Sequence, residues 1–194
     1  MEWANGDALA GGVAAKPPSA VELKLDMDLG LWAEGASHPR AHDLEGVKLV
    51  GVVDAVWGLD VGHTVSSADF VVAEYKSNAF GTTGRNKIKQ IARSSLQPRL
   101  YALLISEELR RRHQHRWNSE EEEMVEFHPT VMVQGIEQQD AMGKAPVDED
   151  AMNEAVEAVA DMARGVRRGE FEPSPGQFQC GWCGWRSVCR HAVH

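Results

Sequence analysis

Two sets of side chains in this 194-residue chain have types and spacings suited to chemistry. The first spans two apolar runs. "ADFVVAEYKS" (68–77) ends in Glu74 and Lys76, two residues apart. Side chains on a strand alternate faces, so a strand here puts Phe70, Val72, Glu74 and Lys76 on one side, the last two where the strand leaves the core. In the preceding run, "LVGVVDAVWG" (49–58), Asp54 is the one charged residue. A carboxylate in such a run is costly unless something compensates it. If the two runs pair as a hairpin, Asp54 and Glu74 converge. Two carboxylates near a lysine can hold a hard divalent cation, and Mg2+ takes one or two carboxylates and completes its shell with water and phosphate oxygens. Such an ion lowers the pKa of a bound water and polarises the phosphate. Lys76 could position that water or stabilise developing negative charge. The competing reading is a buried aspartate capping a turn beside a surface Glu–Lys pair, which is common and worth little energetically. Spacing alone does not decide against it.

The second set is "CGWCGWRSVC", with Cys180-x2-Cys183-x5-Cys189 the only cysteines in the chain. An odd, tightly spaced set without a secretory signal argues against a disulfide framework and for a metal. Thiolates suit zinc or an iron–sulfur cluster. Trp182 and Trp185 are read as shielding such a site, or as plain packing.

The elements that must position these residues read as a mixed α/β domain. "VELKLDMDL" (21–29) alternates with period two and predicts a strand. Residues 34–46 read as a polar loop, in which His38 and His42 are loop residues. Residues 47–60 predict a central strand covered on both faces, and 68–77 its hairpin partner. From Arg85 to Arg112 the pattern is helical, with Pro98 kinking the helix or starting a second one. Residues 125–136 predict another strand. Residues 147–169 predict a helix, acidic at its start and basic at its end as the macrodipole prefers. Helices are expected on both sides of the sheet. Residues 1–19, rich in Ala, Gly and Pro, are expected to be poorly ordered; 20–178 form the core and 179–194 a cysteine-rich tail.

A hydrophobic share of 43% and a charged share of 25% describe an ordinary soluble globular composition. No stretch is apolar enough to cross a bilayer, so no membrane partner is expected. The net charge of -9 hides a segregation. Residues 85–116 carry nine basic residues against Glu107 and Glu108, a local +7. A basic stretch on an acidic protein can follow a phosphate backbone, although a solvated helix face explains the charge as well.

"GVVDAV…FVVAEYKS" resembles the PD-(D/E)XK nuclease superfamily in its RecB-like branch, which has G-x-x-D on one strand and (D/E)-x-K on the next. "QPRLY" (97–101) matches the Q-x-x-x-Y that this branch carries on the following helix. Residues four apart share a helix face, so Gln97 and Tyr101 can both support the active site or the DNA. The resemblance covers about Val21 to Cys189. It implies a restriction-endonuclease-like central mixed sheet flanked by helices, with a C-terminal cysteine metal-binding segment. Asp54 and Glu74 would be Mg2+ or Mn2+ ligands and Lys76 the catalytic lysine. The cysteines are similar to the end of the 4Fe–4S motif of AddB-type helicase-nucleases, eukaryotic exonuclease V and the CRISPR adaptation nuclease, as is the lead-in "RGEFEPSPGQFQC". There they would act as a staple closing on the core.

The implied function is a Mg2+- or Mn2+-dependent deoxyribonuclease, an exonuclease more than an endonuclease. It would act on single-stranded DNA or DNA ends in repair, recombination or CRISPR-type processing, beside a helicase or a CRISPR adaptation protein. Its expected place is the cytoplasm, or the nucleus or mitochondrion of a eukaryote. The alternative is a catalytically inactive DNA-binding or assembly module of the same fold. Two departures matter. The family's fourth cysteine and its first motif, a helix with a metal-binding histidine, should both lie upstream, and neither is present before residue 21. The reading taken is that the chain begins late, as a fragment or a shortened variant. His191 or His194 could instead complete a Cys3His zinc site.

Overall fold

A computed structural model describes residues 17–59, 67–76, 84–116, 126–135 and 142–193. The elements run β1 (Ala20–Asp28), α1 (Leu29–Gly35), α2 (Ala41–Leu44), β2 (Lys48–Trp57), β3 (Ser67–Lys76), α3 (Gly84–Ser94), α4 (Leu96–Arg116), β4 (Glu126–Gly135), β5 (Met142–Pro146), α5 (Glu149–Arg168) and α6 (Gln177–Trp182). The five strands form one mixed sheet in the order β1-β2-β3-β4-β5. Neighbours are antiparallel except β3 and β4, which run parallel. A parallel pair needs a crossover, and α3 and α4 lie on the chain between these two strands. The strand bearing Glu74 and Lys76 is thus the middle strand.

Alternation along the strands divides the core. Val53, Val56, Phe70 and Val72 pack with Ile105 and Leu109 of α4. Val131, Val133 and Ala145 pack with Ile88, Ala92 and Ala102 of α3 and α4. Leu29, Ala33 and Leu44 join Leu100 and Leu103 to Val156, Val159 and Ala160 of α5. On the opposite face Ala55, Trp57, Val71, Ala73 and Met132 form a cluster of strand residues alone. The sheet is flanked by helices, but α1 to α5 gather on one face rather than on both.

Several expectations shift. The 34–46 segment is not all loop: it holds the end of α1 and all of α2, and these two helices bury Ala33, Asp43 and Leu44. Pro98 starts a second helix. It sits buried in the first turn of α4, where its missing N–H costs nothing. β2 is not covered on both faces, since Val50 and Val52 are 67% and 43% exposed. β5, "MGKAP", has no strand signature of its own and is held by pairing with β4. Gly143 in β5 is what lets α3 close on the sheet: a Cβ there would lie 2.6 Å from the carbonyl oxygen of Ile88. The poorly ordered stretch expected at 1–19 falls mostly outside the described residues. Among the described residues no helix is long and apolar enough to cross a membrane.

Candidate active site

Glu74 is the buried carboxylate of β3, 5% exposed. Burial of a charge requires pairing or hydrogen bonds, and Glu74 has both. Lys76 Nζ lies 2.5 Å from its Oε1. Gln97 Nε2 donates to its Oε2 at 3.3 Å and to Tyr101 Oη at 2.8 Å. Lys76 Nζ also donates to Gln97 Oε1 at 3.4 Å. Four residues from β3 and the first two turns of α4 thus form one connected polar set at the end of the middle strand. The i, i+4 spacing on α4 aims Gln97 and Tyr101 the same way.

Asp54 enters from β2. The β2–β3 ladder runs Ala55↔Ala73, Val56↔Val72, Trp57↔Val71, and one further step brings Asp54 opposite Glu74. There the main-chain ladder ends. The Tyr75 N–H is satisfied instead by Asp54 Oδ2, at 2.7 Å. β2 is also irregular at this point, because Val53 packs on the α4 face while Ala55 and Trp57 pack on the other. The switch coincides with Glu22 on β1, whose φ is +48° and whose place opposite Asp54 is missing from an otherwise continuous register. Burial, and then the nearby Asp54 carboxylate, push the Tyr75 hydroxyl pKa up.

Gly51, three residues before Asp54, faces α4. A Cβ there would lie 2.9 Å from Tyr101 Cε1 and 3.0 Å from Leu104 Cδ1. The Tyr101 ring therefore packs directly on the β2 main chain, and that packing fixes the hydroxyl that Gln97 reaches. The glycine is visible in the sequence; its pairing with Tyr101 is not, because the two meet only through packing.

Asp54 and Glu74, at facing positions on neighbouring strands, are the oxygen-donor type that a hard divalent cation takes. Asp54 Oδ1 has no partner among the described residues, and Glu74 supplies a second carboxylate opposite it. Mg2+ needs no more than two protein carboxylates. When bound there, such an ion would supply Lewis-acid polarisation of a phosphate and a more acidic water. Lys76 and Gln97 neutralise and hold Glu74.

A family model described as the PD-(D/E)XK nuclease superfamily matches residues 8–190. The chain belongs to the PD-(D/E)XK nuclease superfamily. Its members are mostly nucleases acting on DNA with Mg2+ or Mn2+, and the mixed sheet is consistent with their restriction-endonuclease-like fold. A search of curated proteins gave no match.

The three cysteines of this superfamily member are not gathered into a metal centre. Cys180 is buried, Cys189 half-buried and Cys183 exposed. Among the described residues no group of three His, Cys, Asp or Glu side chains could hold a metal ion. Cys180 Sγ instead accepts the Val193 N–H at 3.4 Å. That bond first, then the Gly176 main chain, and then Arg186 pull its thiol pKa down. Nor does the tail close on the core. α6 makes no substantial contact with another described element, and Trp182 and Trp185 are 82% and 75% exposed rather than shielding anything.

His42 lies in α2 rather than in a loop; His38 is a loop residue, but its side chain is buried. Its buried ring stacks near Trp32, with centroids 6.0 Å apart, and its Nε2 lies 3.7 Å from Glu157. It accompanies a network in which Arg40 reaches Asp43 at 2.6 Å, and Glu157 and Asp161 of α5 at 2.9 Å each. Arg40 holds the Asp43 carboxyl below the usual carboxylate range. This network ties α2 to α5 and shares no residue with the Glu74 set.

Proposed function

We propose that the chain is a metal-dependent deoxyribonuclease of the RecB-like branch, hydrolysing phosphodiester bonds of single-stranded DNA or DNA ends. The observation that carries this reading is the single polar set at the end of β3, in which buried Glu74 contacts Lys76 and Gln97, with Asp54 joined to the same strand end. Asp54 and Glu74 hold the Mg2+ or Mn2+. Lys76 carries the charge that offsets the developing negative charge on the phosphate. Gln97 and Tyr101 fix Lys76 and Glu74 in place. Exonuclease action, a role in repair, recombination or CRISPR-type processing, and a cytoplasmic setting beside a helicase or CRISPR adaptation protein belong to the same proposal. They rest on the resemblance of GVVD, EYK and QPRLY to the RecB-like branch and, for pathway and partner, on that of the cysteine spacing and its lead-in RGEFEPSPGQFQC. A 4Fe–4S cluster or zinc in the tail is no part of it, because the three thiols are not gathered into a ligand set among the described residues.

The test is cleavage of end-labelled single-stranded DNA with Mg2+ or Mn2+, wild type beside Lys76→Ala and Asp54→Ala. Metal-dependent cutting that disappears in both variants, with their circular dichroism unchanged, is the expected result. A folded wild type that does not cut under either metal would refute the reading and leave the inactive-module alternative.

A further inference from the structure

The nine cations of residues 85–116 are not equivalent. Arg110 and Arg111 form ion pairs with Glu107 and Glu108 one turn earlier, and Arg112 with Glu108. Arg99 pairs with Glu154 of α5 at 2.8 Å and also donates to the Arg93 carbonyl. Most of the charge on α4 is therefore locally cancelled. Lys89 and Arg93 on α3 differ: both are exposed, and neither has an ion-pair partner among the described residues. Exposed cations without an ion-pair partner keep their full charge for an outside anion.

From this contrast we infer that Lys89 and Arg93 form a phosphate-binding track for the backbone of a single DNA strand leading to the Glu74 site. The inference rests on the nuclease reading for its destination, but not for the binding itself. Residues four apart on a helix share a face, with Cβ atoms about 5–6 Å apart. The adjoining side of α3, about a quarter-turn round the helix, is anchored, since Ile88 and Ala92 are buried in the core. The α3 main chain at Ile88 and Lys89 lies against Gly143 of β5. A backbone held so closely presents its exposed side chains from a fixed platform. The track also points somewhere. Four residues past Arg93, across the break at Ser95, exposed Gln97 touches both Lys76 and Glu74. Phosphate binding of this kind positions a strand without reading its sequence.

The test is fluorescence anisotropy of a labelled oligothymidylate with the full chain in EDTA, which prevents cleavage, across a salt series. Each phosphate of a single strand that the protein no longer neutralises removes about 0.7 from the slope of log K against log salt. Lys89→Glu/Arg93→Glu should therefore lower the slope by at least about 1.4 and weaken binding about 25-fold near 0.1 M salt. Lys89→Arg/Arg93→Lys should keep the wild-type slope, and Arg110→Ala/Arg112→Ala should change it far less than the α3 pair. Wild-type slope and affinity in the charge-reversed variant would overturn the track, as would a wild type that does not bind the oligonucleotide. Where wild type binds with the expected slopes but does not cut with Mg2+ or Mn2+, the track stands and the nuclease reading falls. Where wild type cuts but the reversed variant binds as well as it does, the track falls alone.

Discussion

Gly51→Ala is the sharpest probe of how the site is held, because it adds one methyl and neither adds nor removes a charge. The added Cβ would sit 2.9 Å from Tyr101 Cε1 and 3.0 Å from Leu104 Cδ1. Carbon atoms prefer about 3.5–4.0 Å, so the ring must retreat by about 0.6 Å or more. Overpacking of this kind costs about 1–3 kcal/mol, offset by about 0.4–1 kcal/mol from the stiffer unfolded chain. The net destabilisation lies between about zero and about 2.6 kcal/mol, or up to roughly 10 °C in Tm for a chain of this size. The catalytic effect should be larger in proportion. Moving the Tyr101 ring shifts the hydroxyl that Gln97 reaches at 2.8 Å, and Gln97 holds Glu74 and Lys76 at 3.3 and 3.4 Å, with no slack left. Misplacing a catalytic group by about 1 Å can cost about 100-fold, so single-turnover cleavage should fall about 10- to 100-fold. The assay pairs that rate with urea denaturation, in wild type and in a Tyr101→Ala background where the ring is gone. The activity penalty should largely vanish there, and any residual destabilisation should reflect Leu104. Gly51→Ala with wild-type rate and stability, or an equal rate penalty in both backgrounds, would refute the role given to this packing.

Two further expectations follow from other parts of the structure. Arg40→Ala should destabilise the chain at neutral pH, because Asp43, Glu157 and Asp161 lose their shared cation. The folded pKa of Asp43 lies below its ordinary 3.8. Its contribution is therefore present above that value and lost as pH falls through the lowered one. Denaturation at pH 7 and near pH 3 should show the gap between variant and wild type narrowing in acid, and an equal gap at both would count against the pairing. Cys183→Ser, at an exposed position, should leave stability within about 0.5 kcal/mol of wild type. Elemental analysis showing stoichiometric iron or zinc that this variant loses would overturn the geometry described for the tail.

What the sequence can reveal depends on the range of the interactions. β1, β3, β4 and α5 follow from periodicity and end signals close in the chain: the alternation of "VELKLDMDL", or Asp148 capping α5 and Arg167 and Arg168 in its last turn. Two apolar runs at hairpin spacing are enough to expect Asp54 near Glu74. That Asp54 completes the ladder for the Tyr75 N–H is not legible, since a main-chain donor leaves no mark in side-chain identity. β5 escapes for a related reason: "MGKAP" is a strand only because β4 offers it a partner. The exposed half of β2 reads as covered because apolar residues do not say which of their faces is buried. The cysteine spacing suggests a closed centre, yet spacing carries no information about whether three thiols converge. The net charge of 85–116 likewise hides which arginines are already matched by Glu107, Glu108 and Glu154.

The parallel pairing of β3 with β4 has a consequence for how the chain reaches its folded state. On one side β3 is joined to its sequence neighbour β2, a pairing that can form early. On the other it waits for residues 126–135, some fifty positions later in the chain. Pairings of such long range carry a loop-closure cost and form slowly. Until α3 and α4 have packed and β4 has docked, the strand that carries Glu74 and Lys76 presents "FVVA" along an open edge, a template for pairing with another molecule. The same central position that later shields the site makes this strand the point where misassembly would begin. A chain emerging from the ribosome passes through that exposure every time it is synthesised.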